Sequence, residues 1–122
     1  MAVTGLQIVV NLRNQEITFT NTESDVNERI IGPKTSASVK NAWIPWCVNK
    51  GEFPQHHFHV YSGGDMNWYL WQRQGNDGDH VRFSRTGYEE PGTPVAGDPA
   101  TGQDVLLVVL PDGALFLTKY LA

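Results

Sequence analysis

Apolar and polar residues alternate over much of this chain. Leu6, Ile8, Val10 and Leu12 are spaced by Gln7, Val9 and Asn11, and a period of two predicts a strand with one buried face. Ile17 and Phe19 carry the alternation on past Arg13-Asn14. Asparagine tolerates positive φ, so a tight hairpin is predicted there, joining strands at 6–12 and 15–20. The stretch 21–40 is polar. In it Val26, Ile30 and Ile31 fit either a short strand or a helical turn, and Gly32-Pro33 ends either one. A weaker alternation over 35–39 leads into Trp43. Pro45 lacks a ladder donor and so excludes a central strand running through 43–48.

The pattern sharpens further on. Over 56–62, His57, His59 and Tyr61 share one face, and His56, Phe58, Val60 and Ser62 share the other. Gly63-Gly64-Asp65 predicts a hairpin, from which 66–73 returns. That strand carries Met66, Trp68, Leu70 and Gln72 on one face and Asn67, Tyr69, Trp71 and Arg73 on the other. Asn76-Asp77-Gly78 turns the chain into a short strand at 80–84. Residues 86–103 are rich in glycine and proline and read as a long loop. The run 105–110 is almost wholly apolar, as in a strand covered on both faces, and Pro111-Asp112-Gly113 leads into a last strand at 115–120. No segment sustains a helical stripe. The expectation is an all-β, single-domain antiparallel β-sandwich or small β-barrel of seven to eight short strands over residues 1–122. No internal repeat supports a trefoil or propeller.

Composition narrows the classes. The 122 residues are 40% hydrophobic and 18% charged, which suits one folded domain and not a disordered chain. Net charge is −4 with no basic cluster. That disfavours nucleic-acid binding by phosphate neutralisation, and polybasic membrane anchoring as well. Cys47 is the only cysteine, so no intrachain disulfide forms. The start of the chain lacks the pattern of a secretory signal, and no apolar run approaches the ~20 residues of a spanning helix. The protein is expected to be soluble, and either cytoplasmic or exported without a recognisable signal peptide.

The candidate chemistry gathers in 43–73, which holds all four tryptophans, three of the four histidines and the cysteine. Indole and phenol rings stack on sugar faces and keep a polar edge for orientation. Trp68 alternates with Met66 and Leu70 and is assigned to the core. Trp71 and Tyr69 share a face with Asn67 and Arg73, a mixture typical of binding surfaces. Trp43 and Trp46 flank a loop proline. The leading expectation is therefore a non-catalytic, lectin-like domain. It would bind a carbohydrate or small polar ligand through Trp43, Trp46, His57, His59, Asn67, Tyr69, Trp71 and Arg73.

Two other classes compete with it. On a strand, His57 and His59 project to one side ~7 Å apart, a spacing that suits two imidazoles on one metal. This HxH pair resembles the first metal motif of the cupin barrels over about a dozen residues. The resemblance implies a metal enzyme that would add a carboxylate and a later histidine, for which only Asp65, in a predicted turn, and His80 are at hand. The bland reading, two half-exposed histidines on a polar sheet face, is preferred, and no metal or cofactor is assigned. A membrane-lipid binder of cytolysin-like build is the third class, less favoured, with the aromatic rings meeting a neutral headgroup. Self-association stays open, since an aromatic patch or strand edge also serves as a subunit interface. Cys47, between Trp46 and Val48, is expected to be buried and inert. Asp77 and Asp79 are explained by turn chemistry, and Glu89-Glu90 by a solvated loop. No nucleophile elbow, phosphate loop or dinucleotide fingerprint occurs.

Overall fold

The computed structural model describes residues 3–23 and 28–121. Among them eleven strands form two sheets facing each other across one core. The strands are β1 (Gly5–Asn11), β2 (Ile17–Asn21), β3 (Arg29–Ile31), β4 (Thr35–Trp43), β5 (Phe58–Ser62), β6 (Met66–Gly75), β7 (Gly78–Ser84), β8 (Thr93–Pro94), β9 (Ala96–Gly97), β10 (Asp104–Val109) and β11 (Leu115–Lys119). One sheet has the order β4-β1-β10-β11-β9 and the other β3-β2-β5-β6-β7-β8. This is an all-β sandwich, and the two sheets do not close into a barrel. The count exceeds the expected seven to eight because β3, β8 and β9, only two or three residues each, are too short to show a period. Val26, read as part of a short strand or turn, lies outside the described residues.

Three turn signals form the expected hairpins. Gly63 and Gly64, at φ 66° and 85°, reverse the chain between β5 and β6. The Asn76–Asp77 turn joins β6 to β7, and Pro111-Asp112-Gly113 joins β10 to β11. The Arg13-Asn14 hairpin is a correction: β1 pairs with β4 and β10, while β2 pairs with β3 and β5. The chain crosses there from one sheet to the other. Asn11 holds the crossing: its buried amide donates to the carbonyls of Gln15, Ile31 and Gly32, and its Oδ1 accepts from the Arg13 amide. A buried amide so fully bonded loses little of what it gave up in water.

The pairing of β1 with β10 is parallel, as is that of β11 with β9. The rest is antiparallel. The alternation in β1 also breaks. Its register slips between Leu6 and Ile8, where a bulge admits Gln7 against residues 39–41 of β4. One inserted residue flips every side chain that follows. The buried set is thus Leu6, Val9 and Asn11, with Ile8 and Val10 only half-buried on the outer face.

Between the sheets lie Phe19, Phe58, Val60, Trp68, Leu70 and Val81 from one side, against Val9, Val105, Leu107, Val109 and Leu117 from the other. Trp68 belongs to this core as expected, with its indole N–H donating to the Gly113 carbonyl at 2.8 Å. The long 86–103 loop has a structural task. Its β8 pairs with β7 and its β9 with β11, so the strap bridges the two sheets and Val95 plugs the core between them.

Candidate functional site

The eight expected ligand residues divide between two places. His57, His59, Asn67, Tyr69, Trp71 and Arg73 stand on the outer face of β5 and β6 or at its margin. Trp43 and Trp46 stand instead at a pocket formed by the end of β4 and the loop that follows it.

The outer face is an aromatic layer. Pro54 starts a short 3-10 turn, Phe53–Gln55, which lays Phe53 over the sheet. The Phe53 ring is stacked on His57 at 4.1 Å and meets Trp71 edge-on at 5.6 Å. Tyr69 stacks on His59 at 4.6 Å, and Tyr61 continues the row at 5.1 Å. Tyr88, from the strap, closes over Phe53 and Trp71. These rings largely satisfy one another. Trp71 is fully buried, a correction to its reading as an exposed platform: alternation puts it on the outer side of the sheet, but the strap covers it there. Its indole N–H donates to the Pro91 carbonyl at 3.3 Å. Gly92, at φ 95°, passes so close that a Cβ would lie 2.5 Å from the Trp71 ring.

Most of the polar groups here are also committed, the buried Nε of Arg73 being an exception. His57 is buried, its Nδ1 is bonded to the Phe53 carbonyl at 2.5 Å, and burial lowers its pKa. His59 Nε2 meets Asn67 Oδ1 at 2.8 Å. Among the described residues no three His, Cys, Asp or Glu side chains are grouped to hold a metal ion. Arg73 donates to Glu90 at 2.9 Å, and Tyr88 does so at 3.3 Å. Those two bonds, Arg73 first, hold the Glu90 carboxyl below its usual range. Arg82 is buried under the strap and donates to Asp77 and to the carbonyls of Arg73, Gly78 and Gly92. Cys47 is buried and its thiol donates to the Asn49 carbonyl at 3.3 Å. Burial pushes its pKa up, which disfavours the nucleophilic thiolate.

The pocket is different in kind. It is a cleft of about 340 Å³. Trp43 stands at it with 61% of its surface exposed, and Trp46 is half-buried. Glu23 and His56 add a polar wall, with His56 Nδ1 at 2.7 Å from Glu23 Oε2. Gln72 builds the opposite side from β6. Its buried amide donates to the Ile44 carbonyl and accepts from the Thr4 hydroxyl, and its backbone bonds both Pro45 and Cys47. The end of β4 and the loop after it, which carry the two indoles, are therefore fixed before any ligand arrives. Sequence reasoning missed His56 and Glu23, because alternation sent His56 to the core side and nothing local ties it to a residue so far back in the chain.

No family model, curated protein or solved structure matches this chain. Among the described residues no helix is long and apolar enough to cross a membrane.

Proposed function

We propose that this protein is a non-catalytic, lectin-like binding domain whose pocket beside Trp43 and Trp46 takes a small polar ligand, carbohydrates being the first class to test. The observation that supports the reading is the 61% exposure of Trp43, a side chain ordinarily covered, at a preformed cleft. An indole kept in water costs free energy that a stacked ligand recovers, and the Glu23–His56 pair offers hydrogen bonds to hydroxyl groups. The aromatic layer over β5 and β6 then serves chiefly as support, with Tyr61 as its exposed end.

Two measurements test this. Trp68 and Trp71 are sealed and Trp46 is half-buried, so the red-shifted, acrylamide-quenchable part of the fluorescence is expected to come chiefly from Trp43 and to shrink by more than half in Trp43→Phe. On a glycan array, Trp43→Ala is expected to reduce binding at least tenfold with the far-UV spectrum unchanged. Binding that survives in Trp43→Ala rules this pocket out as the site.

A further inference from the structure

The charge and lining of the same pocket narrow its ligand class. Trp43 and Trp46 line it with the apolar Val3, Ile44 and Pro45, and among the described residues Glu23 is the carboxylate that lines it. Among the described residues no lysine or arginine lines it. The carboxylate of Glu23 can only accept, so His56 donates to it from Nδ1. The Glu23 carboxylate thus places an acceptor oxygen at the pocket wall. Indole faces bear the negative lobe of their quadrupole and attract cations. The apolar lining then selects among cations. A primary ammonium needs acceptors for three N–H groups, which apolar and aromatic side chains do not supply. An alkylated ammonium has no N–H to satisfy and presents methyl groups to the rings.

We propose that the pocket binds the alkylated ammonium group of its ligand, held between the indoles of Trp43 and Trp46 and the carboxylate of Glu23. This rests on the pocket being the ligand site and names the chemistry it recognises. Two sources present such a group: a free choline-like cation, and the phosphocholine head displayed on a lipid surface.

The test titrates choline chloride into the protein at constant ionic strength, following tryptophan fluorescence and heat. Its neutral isostere, 3,3-dimethylbutan-1-ol, is the control. Choline is expected to bind roughly tenfold more tightly than the isostere. Glu23→Gln is expected to remove most of that preference, and Trp43→Ala to weaken both ligands. Phosphatidylcholine vesicles that co-sediment the protein, but not Trp43→Ala, identify the headgroup as the source; choline binding without vesicle binding identifies the free cation. Equal binding of choline and its isostere overturns the proposal. So does binding of a neutral sugar without choline, which leaves the stacking pocket standing. Failure of sugars, choline and vesicles alike removes the pocket as a ligand site altogether.

Discussion

His57 shows at the scale of one residue what the sequence withheld. Alternation correctly sets it beside His59 and Tyr61, and the pair looked free to take a metal or a sugar. What makes it structural is Phe53, whose 3-10 turn lies across the imidazole and accepts its hydrogen. Trp71 is covered in the same way by the strap around Gly92. A strand period reports which side of a sheet a residue takes, not whether another segment covers that side. The burial of His57 has a pH signature. Its pKa is lowered, chiefly by desolvation, so the unfolded chain takes up the proton first. The stability contributed by the neutral ring is whole above about pH 6.5, the ordinary histidine value, and is lost as the pH falls toward the depressed folded value. Urea unfolding midpoints are therefore expected to drop between pH 7.5 and 5, and His57→Phe to flatten part of that slope. An identical slope in the variant would place the titration elsewhere.

At the scale of elements, the hairpin turns were legible because glycine and asparagine chemistry is local: β5–β6, β6–β7 and β10–β11 all close where their turn residues predict. The β1 bulge was not. Leu6, Ile8, Val10 and Leu12 make an unbroken apolar row, and only the pairing with β4, where Gln7 meets Asn41 at 2.5 Å, turns Val9 inward in place of Ile8. The two registers make opposite predictions. Val9 is fully buried in the core and Ile8 half-buried outside it. Val9→Ala should cost about 2 kcal/mol through lost burial and a partly collapsed cavity, and Ile8→Ala under about 1 kcal/mol. Paired urea titrations of the two variants decide it, and a larger loss in Ile8→Ala would restore the unbulged strand. The candidate site was legible to a similar degree. Pro45 indicated that the strand stops near Trp43, which is the last residue of β4, but not that Trp43 is the exposed indole and Trp46 the half-buried one. The meeting of His56 with Glu23 depends on a tertiary contact that no local pattern encodes.

For the molecule as a whole, the fold class followed from counting short alternating segments, while the connection of the two sheets did not. The first strand finds its central partner only when β10 is in place, in a parallel pairing that spans most of the chain. Parallel partners far apart in sequence leave no turn signal between them. The same connection bears on stability. Leu107 on β10 and Phe19, Val60 and Trp68 on the opposite sheet belong to one buried cluster, and the strap ties both sheets at their edges. Neither sheet keeps an apolar face covered without the other, so the two should unfold together. Leu107→Ala is then expected to cost about 3 kcal/mol. It should also shift the fluorescence transition, which reports Trp68 and Trp71 in the β6 sheet, by the same amount as the far-UV transition, which reports both sheets. Separate midpoints, with the β6 sheet outlasting loss of structure in its partner, would mean that the sheets are two cooperative units. The strap would then be a tether between them and not the closure of a single core.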